Sequence, residues 1–280
     1  MIIGVIGLGL IGGSLAMALG NSENAQIFGV DCSAQTRAQA MARGTVYAAW
    51  ADAKEAPLEE ADVVFVCLHP EASVAFVKEH ATRLKRGAVL TDVCGVKKPL
   101  VEAVDAYLPE GVAFIGGHPM AGRECGGFAN ATGALFQGAH YILVPTARTT
   151  PAAYELLRRM TECMGCADVI EADVETHDAR IAYTSQMMHV LAVAICDQAQ
   201  LMPSKGFEGG SFRAATRVAA LDAALWTELF WANREALLGQ TRELIEKLSE
   251  YAALLAGDDR EALQARLTYS AERKRAYNRI

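Results

Sequence analysis

The sequence predicts an α/β protein, with a doubly wound parallel sheet in its first half and an all-helical domain in its second half. Three observations support this fold class. A glycine-rich motif follows an apolar segment at the N-terminus, short apolar runs alternate with helical patterns up to about residue 147, and nearly every pattern beyond residue 173 is helical. We expect a sheet domain over residues 1–147, a connecting helix and strand over 148–172, and a helical domain over 173–280.

Short apolar runs in the first part of the chain are predicted as strands. The run 63–68 is apolar on both faces, which is expected of a parallel strand that helices cover on both sides. The run 167–170 lies in the connecting segment and is predicted as one further strand. The predicted strands are Ile2–Ile6, Gln26–Val30, 63–68, 88–93, 112–115, 140–144 and 167–170.

Helices are predicted where a capping residue precedes a helical pattern. Ser33 is expected to cap a helix over 34–43, with Gly44 after its end. Thr150, which a proline follows, marks the start of a second helix that ends near residue 165.

The second half of the chain is predicted to form long helices at 173–202, at about 222–256 and from residue 258 onward. Leu237, Leu244 and Tyr251 repeat every seven residues, with Leu248 and Leu255 beside them. An apolar repeat of this length suits packing against another helix. We therefore expect these helices to have a packing partner.

Composition and charge limit the classes of function. With 280 residues, 52% of them hydrophobic and 21% charged, the chain can fill one large domain or two ordinary ones. Its net charge of −7 argues against binding to nucleic acid or to an anionic membrane surface. No apolar run is long enough to span a membrane, and seven scattered cysteines suit free thiols in a reducing cytoplasm. We expect a cytoplasmic protein that acts on a small molecule and holds no metal.

A glycine motif near the N-terminus predicts a dinucleotide site. Gly7-Leu8-Gly9-Leu10-Ile11-Gly12 follows a predicted strand and opens a predicted helix, which makes the sheet domain Rossmann-type. The first glycine allows a tight turn, the second lets the backbone approach a pyrophosphate, and the third lets the helix pack closely on the strand. The N–H groups at the start of the helix can bind the phosphates. The alternative interpretation is a glycine turn that binds nothing.

Asp31 predicts which dinucleotide is bound. It ends the second predicted strand, nineteen residues after Gly12, where a carboxylate can accept hydrogen bonds from the adenosine ribose hydroxyls. The same carboxylate repels a 2′-phosphate, so we expect NAD rather than NADP. Leu68, at the end of the predicted strand 63–68, is also expected to contact the cofactor.

His118 is the candidate general base. It follows the predicted strand 112–115, glycines flank it, and Pro119 favours an extended backbone at His118. We expect it on a loop at the carboxyl edge of the sheet, where open α/β sheets bind ligands. An imidazole there can accept a proton from a substrate hydroxyl as hydride passes to the nicotinamide. From spacing alone, a structural loop histidine is an equally good interpretation.

Several motifs occur in one order along the chain. The most specific is Gly117-His118-Pro119-Met120-Ala121-Gly122-Arg123-Glu124. The others are 7–12, 91–97, His177-Asp178, 185–189, 209–212, Thr216-Arg217 and Trp226. On these motifs the chain resembles the prephenate/arogenate dehydrogenase family of tyrosine biosynthesis over nearly its whole length.

The resemblance implies an oxidative decarboxylation of a cyclohexadienol. His118 would be the base for the C4 hydroxyl, and Arg217 would bind the ring carboxylate, because guanidinium and carboxylate pair in a bidentate fork. His189 would line the substrate pocket, and Glu124 would be a loop acid that orders it. Without the resemblance, Arg217 is interpreted as a helix-surface residue and His189 as a packed one. The resemblance also implies a homodimer through the helical domains, with the active site in the cleft between the two domains.

Two single positions and one segment differ from the family pattern. Gly95 stands where some members have a serine that contacts the catalytic histidine, so Cys94 or water is left to orient His118. Ala214 stands where some members have an aspartate, which leaves Arg213 or Arg217 freer to meet the substrate. The segment 185–189 lacks one histidine and a proline of the usual pattern. We retain Gly95 and Arg213 as candidate substrate-binding positions.

The main hypothesis is an NAD-dependent prephenate dehydrogenase, and three alternatives remain. Arogenate dehydrogenase has the same chemistry with an amino group on the substrate side chain. A 3-hydroxyacid dehydrogenase would combine similar domains but requires a Lys/Asn pair that we do not find at a convincing place. An NAD-binding sensor would bind the cofactor without turnover, although it has no evident use for the histidine segment and a distant arginine.

Overall fold

The computed structural model describes residues 1–20, 25–123 and 125–279. The first part forms one eight-stranded sheet with helices on both faces, and the second part is helical, which confirms the predicted fold class. The strands are β1 Ile2–Ile6, β2 Gln26–Val30, β3 Ala48–Trp50, β4 Val63–Val66, β5 Val89–Asp92, β6 Ala113–Pro119, β7 His140–Pro145 and β8 Asp168–Glu171. The helices of the first part are α1 Leu10–Gly20, α2 Ala34–Ala42, α3 Pro70–His80, α4 Lys98–Tyr107 and α5 Pro151–Cys163.

The strand order is β3-β2-β1-β4-β5-β6-β7-β8. Strands β1 to β6 are parallel, β7 is antiparallel to β6, and β8 is parallel to β7. The chain moves from β1 outward in one direction and then from β4 outward in the other. The crevice between the carboxyl ends of β1 and β4 is therefore the place where such sheets bind ligands.

Two apolar cores hold the sheet between its helices. Leu15, Phe128 and Leu157 belong to the core on one face, and Phe76 and Leu100 belong to the core on the other. The predicted capping residues contribute at the helix ends. Ser33 accepts a hydrogen bond from the backbone of α2 at 3.2 Å, and Thr150 accepts one from the backbone of α5 at 3.2 Å. Segment 148–172, predicted as a connection, consists of α5 and β8, and β8 joins the sheet.

Strand β6 is longer than predicted, and this changes the setting of His118. It continues to Pro119 because its second half pairs with β7, where His118 faces Ile142. The predicted loop position of His118 is therefore wrong. The glycine before His118, which indicated a loop, is required for steric reasons. A β-carbon on Gly117 would lie 2.5 Å from the backbone oxygen of Asp92 and 2.6 Å from the Tyr141 hydroxyl, so only glycine fits.

The helical part consists of α6 Val174–Ile181, α7 Met187–Cys196, α8 Gly210–Thr216, α9 Ala223–Ala232, α10 Arg234–Ala256 and α11 Arg260–Tyr277. The long helix predicted over 173–202 ends at Cys196, and a π-helical turn, Ala182–Gln186, lies between α6 and α7. The helix predicted over 222–256 is divided at Asn233. The buried amide of Asn233 there donates to the Asp178 backbone and to the Gln186 side chain.

The seven-residue repeat lies along α10. Leu237 is buried, and Leu244 and Tyr251 are half-buried. Leu248 and Leu255 are 53% and 71% exposed in the single chain, so this side of the helix remains available for another surface. Within the described residues, no helix combines the length and the apolar character that a membrane crossing requires.

Candidate active site

A cavity of about 640 Å³ lies between the carboxyl edge of the sheet and the helical part. Gly9, Leu10 and Ile11 of the glycine loop line it, together with Leu68 after β4 and Gly95 after β5. From the helical part, His189, Arg217 and Trp226 line the same cavity. The structure therefore brings most of the predicted cofactor and substrate residues to one place.

The glycine loop has the shape that a pyrophosphate requires. Gly7 has a φ of +93°, which only glycine adopts readily. A β-carbon on Gly12 would lie 1.9 Å from the Gly7 oxygen, so the helix can pack against the loop only with glycine there. A β-carbon on Gly9 would meet nothing within 4 Å, and this open space lets a phosphate approach the backbone. Because α1 begins at Leu10, the N–H groups of its first turn point toward that space.

Asp31 follows β2 beside this loop. Its Oδ2 accepts a hydrogen bond from the Leu8 N–H at 2.9 Å, and its Oδ1 accepts one from the Ser33 N–H at 2.8 Å. These bonds fix the carboxylate, and each oxygen keeps a lone pair that a ribose hydroxyl can use. The Arg37 guanidinium donates to the backbone oxygen of Asp31 at 2.7 Å. The position of the carboxylate fits a ribose with free hydroxyls.

His118 lies on β6 with its ring between the sheet and the helical part. Its Nδ1 is 2.9 Å from Nε2 of His177. A β-carbon built on Gly95 would lie 4.0 Å from both Cε1 and Nε2 of His118, so the Nε2 edge faces the residue that lines the cavity. Burial holds the pKa of His118 well below its ordinary value of 6.5, and the positive charge of Lys97 lowers it further. The imidazole is therefore an unprotonated base at neutral pH.

His177 and Asp178 on α6 continue the chain of hydrogen bonds behind His118. Nδ1 of His177 is 2.7 Å from Oδ1 of Asp178, and the Asp178 carboxylate accepts the backbone N–H groups of Lys97 at 2.9 Å and Lys98 at 3.1 Å. This pair was recognised in the sequence as a motif without a role, although adjacent His and Asp inside a predicted helix were a usable signal. The side chain within hydrogen-bond distance of the His118 ring is thus that of His177. Cys94, one of the two candidates, instead has its thiol 3.3 Å from the Ser73 hydroxyl.

An ion pair between Lys97 and Asp92 lies next to this chain. Both side chains are fully buried. The ammonium also donates to the Cys94 oxygen at 2.7 Å, and the carboxylate accepts the N–H groups of Cys94 at 2.8 Å and Gly117 at 3.1 Å. These bonds hold the end of β5 against β6 and place a positive charge near His118. Both residues belong to the motif 91–97, but the sequence did not predict their pairing, because no charge pattern marks a buried lysine.

His189 faces the cavity from α7. Its Nδ1–H donates to the Ser185 oxygen at 2.9 Å, and its ring stacks on Trp226 with centroids 3.5 Å apart and an angle of 26° between the planes. Burial lowers the pKa of His189, so the ring is neutral and its Nε2 is an acceptor. Trp226, which sequence analysis used only as a motif residue, thus belongs to the site as the platform for this histidine.

The remaining candidates are distributed as follows. Arg217 begins a short 3-10 helix, Arg217–Ala219, and lines the cavity. Arg213 does not line it and instead lies in a separate cavity of about 630 Å³ with Phe207 and Phe212. Glu124 lies outside the described residues. The structure therefore supports Arg217 rather than Arg213 as the cation of this site.

Comparisons with known proteins agree with this arrangement. Two family models match the chain: prephenate dehydrogenase, nucleotide-binding domain, over residues 15–170, and prephenate dehydrogenase, dimerization domain, over residues 173–269. A prephenate dehydrogenase of Bacillus subtilis is 31% identical over 264 residues, which are 92% of this chain and 71% of that protein.

Solved structures give the same result over the whole chain. The prephenate dehydrogenase of A. aeolicus, in complex with hydroxyphenyl propionate and NAD+, has a TM-score of 0.89 at 25% identity, covering 99% of this chain and 98% of that one. The arogenate dehydrogenase of Synechocystis has a TM-score of 0.84 at 28% identity, covering 99% of this chain and 100% of that one. The chain therefore belongs to the prephenate dehydrogenase family.

Proposed function

We propose that this protein is an NAD-dependent prephenate dehydrogenase, which converts prephenate into 4-hydroxyphenylpyruvate and CO2. The observation that carries the proposal is the position of His118. Its neutral imidazole presents Nε2 at the edge of a cavity that the glycine loop and Arg217 also line. A cofactor loop and a cation that line one cavity, with a base next to its lining residue Gly95, are the groups that this reaction requires.

Residues of the sheet domain would hold the cofactor. The N–H groups of Leu10 and Ile11 would bind the pyrophosphate, Gly9 would let it approach, and Asp31 would accept hydrogen bonds from the adenosine ribose. Leu68, which lines the cavity beside Gly9, would pack against the bound dinucleotide. NAD, when bound, takes up the hydride that leaves C4 of the substrate.

His118 would act on the hydroxyl at C4. Nε2 accepts the hydroxyl proton, and the O–H electron pair forms the C4 carbonyl bond as the C4 hydrogen departs with its own electron pair. The bond from C1 to the carboxylate then breaks, its electrons enter the ring, and CO2 leaves. The carbonyl oxygen regains a proton as the ring becomes aromatic. Because the product is a stable phenol and CO2 escapes, the reaction runs in one direction.

Arg217 and His189 would hold the substrate. Arg217 would bind a substrate carboxylate, because its guanidinium can donate two parallel hydrogen bonds. His189, fixed by Ser185 and Trp226, would present its Nε2 to a hydroxyl of the substrate. Glu124, which lies outside the described residues, would be the loop acid that orders the pocket.

Arogenate is the second candidate substrate, since the Synechocystis protein that this chain resembles over its whole length is an arogenate dehydrogenase. The two substrates differ only in a keto or amino group on the side chain. The test is NADH formation by the purified protein with NAD and either substrate in parallel, with identification of the product. A higher kcat/KM with prephenate supports the proposal, and turnover of arogenate alone would replace it.

We also propose a homodimer that forms through the helical part. The family model for residues 173–269 is a dimerization domain. The exposed apolar residues along α10 and α11 give such an interface its core: Leu238, Ile245, Leu248, Leu255 and Leu267. All seven cysteines are free thiols.

A further inference from the structure

We propose that His177 and Asp178 are positioning residues, which fix the tautomer and the ring orientation of His118 so that its Nε2 lone pair faces the cavity. The kinetic consequence of this arrangement rests on the proposed function. The arrangement itself rests on hydrogen bonds among buried groups: His177 is 2% exposed and Asp178 is 7% exposed.

The direction of the hydrogen bond between His177 and Asp178 follows from the other partners of Asp178. Its carboxylate already accepts two backbone N–H groups, from Lys97 and Lys98. An ionised carboxylate has only acceptor sites. Nδ1 of His177, which lies 2.7 Å from Oδ1, must therefore carry a proton and donate it to this bond.

The direction of the hydrogen bond between His118 and His177 follows from that of the bond between His177 and Asp178. A neutral His177 with its proton on Nδ1 has a lone pair on Nε2. His118 approaches that atom with its own Nδ1 at 2.9 Å, so His118 must be the donor and must also carry its proton on Nδ1. Nε2 of His118 is then left with a lone pair on the edge next to Gly95. This is the tautomer that can accept a proton from a substrate hydroxyl.

The far end of this chain of hydrogen bonds is anchored in the helical part. The Asn233 amide donates to the backbone oxygen of Asp178 at 2.8 Å and to Oε1 of Gln186 at 2.8 Å. The Gln186 amide donates to the Leu229 oxygen at 2.9 Å. Gln186 and Asn233 are buried, so α6, the π-helical turn and the α9–α10 junction form one rigid support. The helical part thus sets the orientation of a base that the sheet carries.

Nuclear magnetic resonance can observe the tautomers directly. The full-length protein is labelled with ¹⁵N-histidine, and the two rings are assigned with His118→Asn and His177→Phe. We expect an unprotonated Nε2 and a protonated Nδ1 in both rings at neutral pH. A protonated Nε2 on His118, or an imidazolium at His177, would reverse the bond and overturn the proposal. The wild-type spectrum needs no substrate, so an inactive protein would count against the proposed function and leave this result unaffected.

Kinetics supply a second readout that a purely structural role would not change. His177→Phe keeps a ring of similar size but removes the acceptor, and should lower kcat on the order of a hundredfold with little change in KM. His177→Gln offers a side-chain oxygen to the same N–H and should recover part of the loss. Equal kcat in His177→Phe and wild type would contradict the proposal, as would equal losses in the Phe and Gln variants. NAD affinity and the thermal midpoint confirm that each variant is folded.

Discussion

Lys97 and Asp92 form an ion pair in which both side chains are completely buried. The pair lies at the end of β5, next to the strand that carries His118. Removing one member of such a pair leaves an uncompensated charge in the protein interior. Lys97→Met should therefore lower the free energy of unfolding by about 3–5 kcal/mol, measured by chemical denaturation. The added change Asp92→Asn should restore part of this loss, because it removes the stranded carboxylate charge.

Lys98 provides the matched control for this prediction. It is the next residue in the chain, and its side chain is exposed. Lys98→Met should change the free energy of unfolding by roughly 0.5 kcal/mol or less. A Lys97→Met variant as stable as Lys98→Met would show that the buried pair does not hold this part of the fold.

We expect the pKa of His118 to determine the acid limb of the pH profile. Burial, and then the positive charge of Lys97, keep its pKa well below 6.5. A base with a lowered pKa stays unprotonated as the pH falls, and loses activity only when the pH passes through that lowered pKa. The profile of kcat/KM should therefore be level around neutral pH, with its acid limb well below 6.5. An acid limb at or above the ordinary histidine range would contradict this account of His118.

Gly95 offers a way to move that acid limb. A β-carbon at position 95 would lie 4.0 Å from Nε2 of His118 and 3.4 Å from Leu229, so a small side chain fits. In Gly95→Ser the hydroxyl can donate to Nε2, which favours the neutral imidazole and lowers the pKa of His118 further. Gly95→Ala fills the same space without a donor and serves as the control. The acid limb should shift to lower pH in the serine variant only, and an equal shift in both would rule out the hydrogen bond.

We expect Asp31 to determine the choice between NAD and NADP. A carboxylate next to a 2′-phosphate costs several kcal/mol, so Asp31→Asn should raise kcat/KM with NADP relative to NAD by tenfold or more, on the order of 1.4 kcal/mol. The guanidinium of Arg37, which donates to the backbone oxygen of Asp31, can then bind the phosphate. The added change Arg37→Gln should cancel the gain. An unchanged cofactor ratio in Asp31→Asn would mean that another group excludes NADP.

Trp226 holds His189 at the cavity by stacking on its ring. Trp226→Leu removes a stacking contact of about 1 kcal/mol and should raise KM for the substrate roughly fivefold, while KM for NAD stays the same. Trp231→Leu is the control, since Trp231 lies on the same helix but does not line the cavity. If the two variants have the same KM for the substrate, His189 does not depend on the stacking contact.

The sheet domain was predictable because its signals are local. The glycine motif, the apolar strand 63–68 and the capping residues Ser33 and Thr150 each act within one element. Strand β3 was not predicted, because Ala48–Trp50 has only three residues and no alternation. The glycines around His118 suggested a loop, although Gly117 serves close packing against Asp92.

The site was predictable only in part, because several of its contacts join residues far apart in the chain. His118 and His177 are separated by 59 positions, and Asn233 reaches Asp178 across 55 positions. No sequence pattern of period two or 3.6 encodes such pairs. The break of the predicted helix at Asn233 has the same origin, since its side chain bonds to α6 and the π-helical turn. The family resemblance indicated His177-Asp178 as a motif, and only the fold placed it behind the base.

The role of His118 as the base is tested by comparing wild-type protein with His118→Asn. The rate of NADH formation is measured under saturating NAD and prephenate. Asparagine keeps a polar side chain at this position but cannot accept the proton as imidazole does. We expect ready turnover by the wild type and a kcat lower by a factor on the order of 10²–10⁴ in the variant, with NAD affinity unchanged. Equal rates in the two proteins would remove His118 from the reaction. Wild-type protein that binds NAD but oxidises neither prephenate nor arogenate would contradict the proposed function.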